Sequence, residues 1–204
     1  MLITVSGSVG SGKTTVAAHA IRVLEREGVS ATEWRFQSLP CFTFLKPRRA
    51  SRAPEAPESP AQRWTGYRRK PLTARVALGY VARILAFRVF RRWHGSRGCY
   101  VSNRYFYDNL VHYRLETTPE RLYAAVLRTL VPTPDVAILL VASPETIAAR
   151  RPQYAAEYVL SLHEAYKRMH AQFPVLVEIS TDLGQPTLDR VEQLLRLGHC
   201  TVPS

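Results

Sequence analysis

Apolar positions along the chain alternate between two periods. Residues 2–6, Leu-Ile-Thr-Val-Ser, are mostly apolar or β-branched and stop at Gly7, the pattern of a short buried strand. Val16, Ala17, Ala20, Ile21 and Leu24 then recur at helical spacing up to Gly28, predicting a helix over about 13–27. Residues 30–36 read as a second strand. Helical spacing returns over 72–93, with Val76, Tyr80, Ile84, Phe87 and Trp93 near one face, and a third strand follows at 99–103. Thr118-Pro119-Glu120 and Ser143-Pro144-Glu145 are two helix-start signals, each a capping residue followed by proline in the first turn. Between them, residues 136–142 are apolar on both faces, as a strand inside a parallel sheet must be. A helix over about 154–172, a strand over 175–179 and a helix over about 187–197 complete the series. Strands alternating with helices predict an α/β domain built on a parallel sheet.

A chain of 204 residues suits one domain, with a core large enough to need no disulfide or metal staple. Residues 46–62 break the pattern: Pro47, Pro54, Pro57 and Pro60 stand among Arg, Ala, Ser and Glu, and a mobile loop is expected there. No apolar run approaches the roughly 18 residues of a membrane span. The first strand runs directly into a glycine loop, so no cleavable leader is expected. Three cysteines (Cys41, Cys99, Cys200) without metal-ligand spacing fit a reduced, cytoplasmic protein. The net charge of +12 changes the picture more, because 24 of the 28 basic residues are arginines. Such a surface favours anionic partners, whether phosphorylated ligands, nucleic acid or lipid headgroups, and also fits a solvated basic face.

The sharpest chemical signal is Gly7-Ser8-Val9-Gly10-Ser11-Gly12-Lys13-Thr14, which meets the G-x-x-x-x-G-K-[ST] pattern at every fixed position and is followed by Thr15. Its glycines allow the backbone N–H groups to turn inward around a phosphate, and the helix that follows adds its positive end. Lys13 can reach the β- and γ-phosphates of ATP, and the Thr14 hydroxyl can ligate Mg²⁺. The loop lies between a predicted strand and a predicted helix, the context the motif requires. Neither an N-K-x-D base reader nor a transport-ATPase signature is present. That leaves a small kinase.

In this setting the sequence resembles the thymidylate kinase-like P-loop nucleotide kinases. The likeness rests on the loop and on Asn103-Arg104-Tyr105-Phe106, similar to the family's Asp-Arg-Tyr motif. It rests also on Pro134-Asp135-Val136 through Pro144-Glu145 with Arg150-Arg151, and on Glu178-Ile-Ser-Thr-Asp182. The resemblance implies a three-layer fold with a five-stranded parallel sheet, and transfer of the ATP γ-phosphoryl group to a nucleoside monophosphate, dTMP first. It also implies roles: residues 7–15 for ATP, with Lys13, Arg104 and Arg150 as catalytic groups and Arg151 as the rival of Arg150. Arg35, Arg104 and Tyr105 would hold the acceptor, Thr14 and more weakly Asn103 the Mg²⁺, a short lid would span about 144–156, and a homodimer is plausible.

Two departures qualify the likeness. Asn103 replaces the family's aspartate, keeping its shape and losing its charge, so weaker Mg²⁺ binding or slower turnover is expected unless Asp108 substitutes. Residues 40–98 lack a recognisable thymine reader and are unusually basic, with Arg63, Arg68, Arg69, Lys70 and Arg75. These could recognise a more anionic acceptor, and Trp64, Tyr67 and Tyr105 could stack on a base. A specialised acceptor, a nucleoside kinase using Glu33 as base, and a catalytically weak nucleotide-binding protein that holds nucleic acid therefore stay open. For the Arg-rich helix near residues 83–93, a solvated face is preferred over contact with lipid or RNA.

Overall fold

A computed structural model describes residues 1–34, 70–94, 98–172 and 176–199. Five strands, β1 (Leu2–Gly7), β2 (Ala31–Trp34), β3 (Cys99–Asn103), β4 (Val136–Val141) and β5 (Leu176–Ser180), form one wholly parallel sheet in the order β2-β3-β1-β4-β5. All six residues of β1 are buried, and β4 is buried up to its last residue. This is why both read as continuous apolar runs.

Helices cover both faces. On one face α1 (Lys13–Arg26) and α7 (Gln185–His199) pack Val16, Ala20, Leu24, Val191 and Leu195 against Ile3, Val5, Ile138 and Leu140. On the other, α2 (Ala74–His94), α3 (Phe106–Leu110), α4 (Thr118–Leu130) and α6 (Ala156–Gln172) bring Ile84, Phe87, Phe106, Leu127 and Met169 onto Leu2 and Leu139. A smaller cluster of Ala142, Ile147 and Val159 ties α5 (Pro144–Arg150) to α6.

The expected three-layer α/β architecture is therefore present, with differences of detail. The cap of α4 is Thr117, one residue earlier than the sequence signal suggested. Its hydroxyl accepts from the Glu120 N–H at 3.4 Å while the Glu120 carboxylate accepts from the Thr117 N–H at 3.0 Å, a full capping box. Ser143 caps α5 as expected. The five-residue α3 was not predicted, being too short to show a period. Trp93 was assigned to the inner face of α2 but is 80% exposed, because the stripe Tyr80, Ile84 and Phe87 has rotated away by the last turn. Residues 46–62, Trp64, Tyr67, Cys41 and Cys200 lie outside the described residues, as does Arg35. No helix of the described residues is long and apolar enough to cross a membrane.

Candidate active site

β1 sits between β3 and β4, so the chain leaves it toward one side of the sheet and later returns on the other. In such sheets ligands lie beyond the carboxyl ends of the strands where the order reverses. Gly7 ends β1 there, and Asn103 ends β3 beside it.

The loop after β1 is shaped by positive φ angles at Gly7 (148°), Gly10 (78°) and Gly12 (81°). At Gly7 a side chain is excluded twice, since a Cβ would collide with the Leu140 carbonyl oxygen and lie 2.8 Å from Ser11 Oγ. Ser11 closes the turn by donating to the Ser8 carbonyl, from Oγ at 2.9 Å and from N–H at 3.3 Å. Gly12 forms the N-cap of α1 and has no side chain to accept from the first-turn N–H groups. Those donors and the positive end of the helix therefore face the loop.

Lys13 is buried, and its Nζ donates to the carbonyls of Gly7 at 3.0 Å and Ser8 at 2.5 Å. Burial lowers its pKa to about 8; the Asp108 carboxylate works against that shift and the Arg104 guanidinium adds to it. Lys13 is thus a desolvated cation folded over the loop, and a phosphate seated there would compete for the same protons.

Three further segments meet the loop. Arg104 follows β3 with φ at 82°, the only non-glycine positive φ among the described residues. It is held by its N–H on the Val5 carbonyl at 3.1 Å and by the Ser102 hydroxyl on its own carbonyl at 2.9 Å. Backbone strain of this kind gathers where a side chain must be aimed. Arg150, at the end of α5, donates to the Gly10 carbonyl at 3.2 Å and to the Thr181 carbonyl and hydroxyl at 3.1 and 3.4 Å. Arg151 reaches the loop only through its stem, whose Cγ lies near Gly10. The 178–182 segment is pinned in turn, because Asp182 accepts from the Ser143 N–H at 3.0 Å. That bond, first among several, lowers the Asp182 pKa.

Thr14 and Thr15 are exposed in the first turn of α1. Asn103 donates through its amide to Thr14 Oγ1 at 3.3 Å. Asp108 does not stand in for a carboxylate at position 103. Its Oδ1 accepts from the Gly7 N–H (3.3 Å) and Tyr166 Oη (2.8 Å), and its Oδ2 from Ser6 Oγ (2.8 Å) and the Tyr105 N–H (2.9 Å). Those four donors fill its lone-pair positions. As a donor set for Mg²⁺, a hydroxyl and a neutral amide fit only an ion that brings most of its oxygens with it, as waters and phosphate.

Tyr105 corrects an expectation. It was assigned to the acceptor, yet it is 0% exposed, edge-on to Phe106 and hydrogen-bonded through its hydroxyl to the Pro132 carbonyl at 2.6 Å. Its ring supports the turn from behind. Glu33 lies exposed on the edge strand β2. Sequence reasoning missed His112 and passed over Lys70 as one basic residue among several. Arg104 and Lys70 both act on the His112 imidazole, and Lys70 reaches it because a single-residue bridge joins Lys70 to Tyr113, a pairing no periodicity could reveal.

The fold is that of the P-loop kinases. A thymidylate kinase from Ehrlichia chaffeensis, known from its crystal structure, superposes with a TM-score of 0.56 over 97% of this chain and 97% of its own, at 14% sequence identity. No protein-family model matches the sequence, and no curated protein matches it.

Proposed function

We propose that the protein is an ATP-dependent kinase that transfers a phosphoryl group to a nucleoside monophosphate, with dTMP the first candidate. The observation that carries this reading is a buried lysine folded over the glycine loop at the carboxyl edge of β1, with Arg150 hydrogen-bonded to the same loop and the Arg104 guanidinium acting on the lysine. Phosphoryl transfer asks the protein for positioning and positive charge more than for covalent chemistry. Residues 7–15 would cradle the β- and γ-phosphates, with Lys13 exchanging two loop carbonyls for phosphate oxygens. Arg150 would steady the donor from the α5 side, and Arg104 would draw the acceptor from the β3 side. A guanidinium fork matches paired phosphate oxygens better than an ammonium does. Thr14, with Asn103 behind it, would hold Mg²⁺ delivered on the nucleotide, and the ion would offset phosphate charge.

The test is ADP release from Mg·ATP across a panel of nucleoside monophosphates, nucleosides and sugar phosphates, with Lys13→Ala as the blank. Release with dTMP that depends on Lys13, Arg104 and Arg150 supports the reading. Release with another acceptor keeps the kinase and replaces dTMP. Bound ATP without turnover on any acceptor, together with salt-sensitive retention of RNA or DNA, would favour a nucleotide-binding protein in place of an enzyme.

A further inference from the structure

After α3 the chain runs from Leu110 to Glu116 before the Thr117 cap of α4, and α6 packs against α3 from the other side. Between this segment, α4 and α6 lies a cleft of about 320 Å³, at the lower end of the roughly 300–1,000 Å³ that small-molecule sites occupy. Its floor is apolar: Leu110, Val111 and Met169 belong to the core and are 1%, 2% and 4% exposed. Its walls carry charge from three separate places, Glu116 ahead of α4, Arg121 on α4 and Arg168 on α6, and all three residues are exposed. Two guanidinium charges and one carboxylate leave a net charge of +1 over an apolar floor. Arg168 also meets Glu164 on its own helix at 3.7 Å, but those side chains are 57% and 73% exposed, and a pair so well solvated is readily redirected.

The cleft is separate from the glycine loop. On α6, the residues that line the small gap against Ser8 of the loop are His163, Tyr166 and Lys167, whereas Arg168 and Met169 line the cleft. Neither residues 7–15 nor Arg104 and Arg150 border it, so the phosphoryl-transfer reading makes no use of it.

We propose that this cleft is a second ligand site, for a small molecule with an apolar, ring-sized body and a single negative charge, such as an aryl carboxylate or sulfonate, bound independently of the nucleotide. The body covers the floor and takes its apolar surface out of water. The anion lies between guanidiniums supplied by two different helices, and an aromatic body can also stack on a guanidinium plane. Glu116 opposes every further negative charge, which favours a monoanion over a polyphosphate. Because the guanidiniums are exposed, affinity falls as salt rises.

The experiment is fluorescence titration with anilinonaphthalene sulfonate, an apolar monoanion that brightens on leaving water, with and without saturating Mg·ADP. The expected result is one saturable site per chain that Mg·ADP does not displace, with much weaker binding of the uncharged phenylnaphthylamine. Arg121→Ser and Arg168→Ser should each weaken binding about fivefold, and Glu116→Gln should tighten it by about the same factor. Arg190→Ser, on α7 across the sheet, should leave it unchanged and so controls for general attraction of the dye to an arginine-rich surface. All four changes fall at exposed side chains and should leave Tm within a degree or two of wild type. Four results overturn the inference: no saturable binding, displacement by Mg·ADP, unchanged affinity in the variant lacking both Arg121 and Arg168, or equal weakening by Arg190→Ser. Failure of the wild type to bind Mg·ADP counts against the phosphoryl-transfer reading alone, since the dye titration without nucleotide still decides the cleft.

Discussion

Replacing Asp108 by Asn tests how the site is held. The carboxylate accepts two hydrogen bonds at each oxygen, one from a hydroxyl and one from a backbone N–H in both cases. An amide can keep only one of its two ends as an acceptor. At the other end the hydroxyl (Ser6 or Tyr166) can rotate to accept, but the backbone N–H (Tyr105 or Gly7) cannot. Either orientation therefore strands one buried N–H, at about 1–3 kcal/mol, and loses the charge-assisted part of the other bonds. A total near 3 kcal/mol is expected, which for a chain of this size lowers Tm by roughly 6–12 °C. Tyr166→Phe removes a single hydroxyl and should cost about 1 kcal/mol. Because the two changes share one bond, the double variant should be less destabilised than the sum of the single ones. The assay is reversible thermal and urea unfolding of the four proteins. A Tm for Asp108→Asn within about 1 °C of wild type, or strict additivity with Tyr166→Phe, would refute the four-donor arrangement.

Other consequences can be checked in the same preparations. Gly7→Ala puts a Cβ against the Leu140 carbonyl and should both destabilise the fold and abolish ADP binding, read by unfolding and by nucleotide titration. Lys13 has a folded pKa of about 8 against an unfolded value of 10.5, so the unfolded chain binds its proton more tightly. The lysine therefore costs stability at pH 7, and that cost disappears as pH rises from 8 to 10.5. Lys13→Met should accordingly be more stable than wild type at pH 7, with the advantage gone near pH 10 in urea unfolding. Asn103→Asp places a carboxylate beside the Thr14 hydroxyl and should raise Mg²⁺ affinity or turnover; a variant with neither gain in a Mg²⁺ titration removes that account of the substitution.

How much of this was legible in the chain depends on whether the determining interactions are local. The glycine loop could be read because its geometry is set by residues 7–14 alone: positive φ at three glycines, then a lysine one step into a helix. The strands β1 and β4 were legible because a strand covered on both faces must be apolar throughout, and the cap at Ser143 because capping spans only a few residues. Distant partners decided the rest. Tyr105 follows the strand end where an acceptor contact was expected, but the carbonyl of Pro132 and the rings of Phe87 and Phe106 claim it for the core. Asp108 offered itself in sequence as a spare metal ligand. Only the fold brings Ser6 and Gly7 from β1 and Tyr166 from α6 to occupy it. Arg150 and Arg151 are adjacent and chemically equal in sequence, and α5 aims the guanidinium of the first at Gly10 and Thr181. The sequence by itself determined the α/β class, the anion-binding loop and the excess of arginine. The tertiary structure alone decided which charges share a site, because a buried carboxylate and a one-residue bridge join positions about 40 to 100 residues apart, beyond the reach of any local pattern.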